Sequence, residues 1–147
     1  MDITDFLSPD HVAIDVAVHD KGGLMKELAA RAAAAVGLPA ELLAGEIAKR
    51  DELGSTGIGN GVSIPHARFR EVTKPFGLLV RLTKPIPFDA IDGKPVDLAF
   101  LLVLPAGAQL EQLNALAAVT RKLREPGTLQ KLRNAPSAND LYRAVTE

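Results

Sequence analysis

The segment Asp97-Leu98-Ala99-Phe100-Leu101-Leu102-Val103-Leu104 limits the possible folds more than any other part of the chain. Its apolar run is nearly continuous and lacks the period-2 alternation of a strand that keeps one face in water. Such a run fits a central strand covered on both faces. It is far shorter than the ~20 apolar residues that a membrane-spanning helix needs. Covering both faces requires a layer on each side, and the flanking sequence supplies helical patterns for both. The simplest architecture is α/β (α+β): a three-layer sandwich with a central mixed sheet flanked by helices on both faces.

The rest of the chain fills in that plan. His11 to Val18 alternates apolar and polar residues, with Val12, Ile14, Val16 and Val18 on one face, and reads as a half-buried strand. Asp20 suits the cap of a helix that carries Leu24, Leu28, Ala32 and Ala35 and stops near Gly37. Pro39 suits the first turn of a second helix to about Glu52, with Leu43 and Ile47 inward and Glu46–Arg50 as a surface pair. Val62 to Pro65 reads as a short strand, and Phe76–Leu82 as the strand before the central one. Between those last two, Asp92-Gly93 is a two-residue hairpin signal. Beyond Pro105 and Gly107, a long helix carries Leu110, Leu113, Ala117 and Leu123 along one stripe. Gly127 separates it from a short helix around Leu129 and Leu132. Ser137 with Asp140 resembles a capping box for a last helix through Val145.

Length and charge narrow the function. A chain of 147 residues fits one domain, 1–147, with a core large enough to need no staples. Lys+Arg 17 against Asp+Glu 18 leaves a net charge of −1, which removes the electrostatic case for nucleic acid or a membrane surface. The absence of cysteine excludes a disulfide framework, thiol catalysis and cysteine-based metal centres. Met1-Asp2-Ile3-Thr4-Asp5 has neither the basic nor the apolar region of a signal peptide, so a cytoplasmic protein is expected.

The chemistry concentrates in residues 50–66. Gly54, Gly57, Gly59 and Gly61 invite a nucleotide reading, which fails on spacing. A dinucleotide fingerprint from Gly57 meets Val62 where glycine is needed, and one from Gly59 meets Ile64. A P-loop from Gly54 reaches Gly59 and then meets Asn60 instead of lysine. The chain has three histidines, His11, His19 and His66, none at metal-binding helical spacing, so no metal and no cofactor are expected. His11 and His19 bound a strand and read as exposed edge residues. His66 differs, because Gly61-Val62-Ser63-Ile64-Pro65-His66 mounts an imidazole directly after a glycine-rich turn and a stiff proline. A neutral imidazole so held is a potential nucleophile. Ser55, Thr56, Gly59 and the other loop amides are candidate donors to an anion there, with Arg50 to neutralise it. Asp89, Asp92 and Asp97 flank a hairpin, where turn chemistry accounts for Asp92. Arg68, Arg70 and Lys74 form a solvated loop able to meet an acidic partner. Ile58, Ile64 and Phe69 are expected to form an apolar rim.

Arg50-Asp51-Glu52-Leu53-Gly54-Ser55-Thr56-Gly57-Ile58-Gly59-Asn60-Gly61-Val62-Ser63-Ile64-Pro65-His66-Ala67 resembles the active-histidine segment of the fructose/mannitol-type (type 2) EIIA domains of the bacterial phosphoenolpyruvate-dependent phosphotransferase system. Pro85-Ile86-Pro87-Phe88-Asp89-Ala90-Ile91-Asp92-Gly93-Lys94-Pro95-Val96-Asp97-Leu98 looks most like the nitrogen-regulatory branch. The resemblance covers essentially the whole chain. It implies that His66 is phosphorylated at Nε2 by a phosphohistidine protein of the HPr or NPr type, with Arg50 beside the phosphoryl group, and that a downstream regulatory protein receives or senses it. Three positions depart from the family pattern: Asp51 stands for Glu, Ser63 for Ala, and Gln112 for a second histidine near the phosphoryl site. A chain ending at Glu147 without an appended EIIB-like or membrane segment favours a regulator over a sugar-transport subunit of the same family. The rival from another class is a binding module of this fold that docks a partner without being phosphorylated.

Overall fold

The computed structural model describes residues 1–147. Short 3-10 turns at Ile3–Asp5 and Pro9–His11 lead into the regular elements. These are, in order, β1 (Val12–Val16), α1 (Lys21–Val36), α2 (Ala40–Leu53), β2 (Gly57–Gly59), β3 (Val62–Ser63), β4 (His66–Phe69), β5 (Phe76–Ile86), β6 (Val96–Pro105), α3 (Gln109–Arg124), α4 (Thr128–Asn134) and α5 (Ala138–Thr146). No helix is long and apolar enough to cross a membrane.

The apolar run forms the centre of a mixed sheet ordered β1-β5-β6-β3-β2, with β4 also on β6. β5 lies antiparallel along one edge of β6, while β3 and then β4 run parallel along the other. Alternate side chains of β6 enter separate cores. Leu98, Phe100, Leu102 and Leu104 pack with α3, α4 and α5, whereas Ala99, Leu101 and Val103 pack with α1 and α2. Each is at most 1% exposed, so a polar residue anywhere in the run would strand its hydrogen-bonding groups in one core or the other. The sheet with helices on both faces is the expected three-layer architecture.

Several local expectations hold for their stated reasons. The Asp20 carboxylate accepts from Gly23 N at 2.7 Å, and α1 ends at Gly37 with φ 71°. The Ser137 hydroxyl accepts from Asp140 N at 3.1 Å and caps α5.

Four readings need correction. The face of β1 switches partway: Val12 and Ile14 pack toward α3–α5, but Val16 and Val18 pack toward α1 and α2. Asp15, with φ 55° at a register irregularity, turns the strand over. The strands on either side of Asp92-Gly93 do pair antiparallel, β5 with β6, but through a connection longer than two residues; the two-residue hairpin is at Asn60-Gly61. Both central residues have positive φ, 57° and 80°, and Gly59 pairs with Val62 across them. Asp92-Gly93 instead turns within the longer loop between β5 and β6, where Asp92 accepts from Asn60 N and Lys94 N. On α3, the stripe of Leu110, Leu113 and Ala117 faces water, with Leu110 71% and Leu113 64% exposed. The inward side is Gln112, Ala115, Ala118, Val119 and Leu123, whose small residues let the helix approach the sheet closely. On α1, Ala35 is likewise exposed.

Gly57 shows how tightly the glycine-rich segment is packed. A Cβ there would lie 2.7 Å from Ala90 Cβ and 2.9 Å from its Cα, so any side chain would displace the β5–β6 loop. Ser63 on β3 is the opposite case, a side chain with an atom too many. It is fully buried and its hydroxyl has no partner. Removing an unsatisfied buried hydroxyl recovers its desolvation penalty, so Ser63→Ala is expected to stabilise the chain by about 1–2 kcal/mol. Urea unfolding measures this directly, and a lower midpoint for the alanine variant would contradict it.

Candidate functional site

His66 opens β4, where its strand pairs in parallel with β6 at Leu102. The preceding Ile64–Pro65 step bridges β3 and β4, and Leu102 N donates to Pro65 O at 2.9 Å. The imidazole is half-buried at a cleft of about 570 Å³ lined by Arg50, Leu53, Arg68, Gln112 and Leu116, among others. His66 Nδ1 lies 2.8 Å from the Ile64 carbonyl oxygen. A carbonyl oxygen can only accept, so Nδ1 carries the proton and, in the neutral ring, Nε2 holds the free lone pair.

Neutrality is favoured as well. Desolvation lowers the His66 pKa from the ordinary 6.5; the Ile64 hydrogen bond opposes the shift, and the Arg50 and Arg68 charges add to it. Below 6.5 the unfolded chain therefore binds more protons at this position than the folded one. The stability that His66 contributes is complete above 6.5 and declines as the pH falls from there through the folded pKa. An NMR titration of the His66 ring is expected to give a midpoint below 6.5, moving upward in Arg50→Ala. A midpoint above 6.5 in the wild type would show that the Ile64 hydrogen bond outweighs burial and the two arginine charges.

Arg50 occupies the last turn of α2 and donates from Nη1 to Gly54 O at 3.0 Å. One of its five N–H groups is so engaged. The expected pairing with Glu46 is absent, because Glu46 sits with Lys49 at 3.3 Å. Arg68, one residue pair along β4, also lines the cleft. It does not lie in a solvated loop, as expected, but on a strand, where residues two apart share a face; that spacing from His66 is the signal that points to the cleft.

The structure brings His66, Arg50 and Gln112 together, and it does not bring Ser55, Thr56 or Gly59 to the cleft lining. Ser55 Oγ accepts from Gly57 N, and Thr56 N and Oγ1 both donate to Asp51 Oδ1. The Thr56 donors are thus taken by Asp51 at the end of α2, and Ser55 acts as an acceptor within its own loop. Gly59 belongs to the β2–β3 hairpin, where Val62 pairs with Leu98, about 13 Å along β6 from the His66–Leu102 pair. Gln112 lines the cleft, but its amide Nε2 donates to Pro105 O at 2.7 Å and Ala106 O at 3.3 Å. Those two protons fasten the β6–α3 turn and are not available to a phosphoryl oxygen. The rim also differs from expectation. Ile64 and Phe69 are core residues and Ile58 packs toward α3–α5, whereas Leu53 at the cleft is 86% exposed.

The remaining candidates lie elsewhere. His11 Nδ1 is 3.0 Å from Ser8 Oγ, its ring stands edge-on to Phe76 at 4.7 Å, and His19 is exposed. Asp97 pairs with Arg133 and Asp92 with backbone amides, so the three aspartates form no acidic cluster. Arg70 and Lys74 are exposed.

A family model described as "Phosphoenolpyruvate-dependent sugar phosphotransferase system, EIIA 2" matches residues 5–147. A nitrogen regulatory protein of Bradyrhizobium diazoefficiens is 40% identical over 145 residues, covering 99% of this chain and 95% of that protein. A nitrogen regulatory protein of Escherichia coli is 40% identical over 125 residues, covering 84% of this chain and 75% of its own. Among solved structures, the nitrogen regulatory protein IIA-Ntr from Neisseria meningitidis superposes with a TM-score of 0.93 at 33% identity, covering 98% of this chain and 99% of that one.

Proposed function

Because the chain belongs to the EIIA 2 family of the phosphoenolpyruvate-dependent sugar phosphotransferase system and is similar throughout to its nitrogen regulatory members, we propose that it carries a phosphoryl group on His66 Nε2. The donor is a phosphohistidine protein of the HPr or NPr type, and the recipient or reader is a downstream regulatory protein in the cytoplasm. The observation that supports this best is the Nδ1–Ile64 O bond, which leaves Nε2 with the free lone pair at a cleft that Arg50 and Arg68 also line.

In the transfer, the Nε2 lone pair attacks phosphorus as the donor's N–P bond breaks, and the donor nitrogen keeps that electron pair. The Nδ1 proton stays in place. As the ring gains positive character, its bond to the Ile64 carbonyl strengthens, which stabilises the transition state more than the ground state. Arg50 and Arg68 offer charge to the phosphoryl oxygens, and transfer of this kind needs little beyond positioning and charge stabilisation. Exposed Leu53, with Leu116 of α3 on the same cleft, gives a docking protein apolar surface next to the histidine.

Incubation with phosphoenolpyruvate, Enzyme I and HPr should add one phosphoryl mass increment to the intact chain. No increment with any phosphocarrier of the host would favour the unphosphorylated binding module.

A further inference from the structure

One buried charge near the site has no part in the transfer so far. Asp51 is 7% exposed and lies outside the cleft lining, yet each carboxylate oxygen is engaged. Oδ2 accepts from Lys21 Nζ at 2.6 Å, and Oδ1 accepts from Thr56 N at 2.8 Å and Thr56 Oγ1 at 2.7 Å. The next links continue toward the histidine. Thr56 O accepts from Ile64 N at 2.9 Å, and Ile64 O accepts from His66 Nδ1 at 2.8 Å.

We propose that Asp51, clamped by Lys21, is a positioning residue for His66: through Thr56 and the Ile64 carbonyl it fixes the imidazole in the Nδ1–H tautomer. The proposal rests on His66 being the phosphoryl acceptor, since the tautomer matters only if Nε2 must be bare. The Ile64–Pro65 step falls between β3 and β4, so no strand ladder sets the direction of the Ile64 carbonyl. Pro65 has no N–H and its carbonyl is held on β6 by Leu102 N at 2.9 Å, so on the Ile64 side the bond from Ile64 N to Thr56 O, also 2.9 Å, is the one that orients the step. Thr56 in turn sits in a loop that Asp51 holds by two bonds. Lys21 comes from the first turn of α1, and it ties this loop to the helical layer on the same side of the sheet.

The carboxylate is charged at neutral pH. Burial by itself would raise its pKa, but the bonds from Lys21 and Thr56 more than offset that, and the net shift is downward.

The test is the nitrogen-15 spectrum of the His66 ring in histidine-labelled protein near neutral pH, alongside phosphoryl-transfer kinetics from HPr. Wild type should show the Nδ1–H tautomer alone. Asp51→Ala and Thr56→Val should admit the Nε2–H tautomer and slow transfer by about tenfold to a hundredfold, with the KM for HPr unchanged. Asp51→Glu, which keeps the charge, should recover most of both signals. If Asp51→Ala fails to fold, Thr56→Val decides, because it replaces the Oγ1 donor to Asp51 by a methyl group of similar size. An unaltered Nδ1–H spectrum in folded Asp51→Ala, or in Thr56→Val if it alone folds, overturns the proposal. A tautomer change in a protein whose wild type takes no phosphoryl group upholds the positioning role and refutes the acceptor reading.

Discussion

His66→Ala is expected to accept no phosphoryl group and to keep its fold. The side chain contributes one hydrogen bond, to Ile64 O, at a half-buried position on the cleft wall. Its loss costs about 1 kcal/mol, because water in the cleft can replace it at the carbonyl. The chemical loss is total, since neither remaining histidine is near Arg50 or the cleft. Phosphoryl incorporation with thermal unfolding of the same sample separates the two effects. A variant that is still labelled, with the group on His11 or His19, would refute the assignment.

Arg50→Ala is expected to slow transfer tenfold or more with little change in stability. The guanidinium makes one hydrogen bond of its own, to Gly54 O at the exposed end of α2, worth under about 1 kcal/mol. A charge-assisted bond to a phosphoryl oxygen in the transition state is worth roughly 1.5–3 kcal/mol, which corresponds to about a tenfold to hundredfold change in rate. Removing the charge also relieves one cause of the depressed His66 pKa, so the rate should fall further on the acid side than in wild type. A normal rate accompanied by a large drop in melting temperature would make Arg50 a structural residue.

Where the sequence carried one dominant signal, the fold followed it. The β6 run has no polar residue after Asp97 until its end, so a strand buried on both faces is the one placement that satisfies it. The caps at Asp20 and Ser137 depend on residues within three positions and were equally readable. Helix α3 was not, because two stripes compete. Leu110, Leu113 and Ala117 form one, and Ala115, Ala118, Val119 and Leu123 form another that packs closer through its smaller side chains. Hydrophobicity favours the first, and steric fit to the sheet decides for the second. The bulge at Asp15 reverses a face through a backbone angle that residue type alone does not announce.

At the site, His66 stood out because proline and glycine mark its mounting, and Arg50 through the family motif. What neither spacing nor motif could convey is which donors are already taken. Thr56 and Gln112 have suitable chemistry, but Asp51 and the Pro105 carbonyl engage it, and those partners meet only in the folded chain. The same folding places Lys21, thirty residues away in sequence, on Asp51.

The central claim is that the phosphoryl group forms its bond with one particular nitrogen. The most direct measurement is heteronuclear NMR of nitrogen-15 histidine-labelled protein after incubation with phosphoenolpyruvate, Enzyme I and HPr. The account predicts a phosphorus–nitrogen coupling on His66 Nε2 alone, with Nδ1 still protonated and bonded to the Ile64 carbonyl. Coupling on Nδ1, or on the ring of His11 or His19, would contradict it.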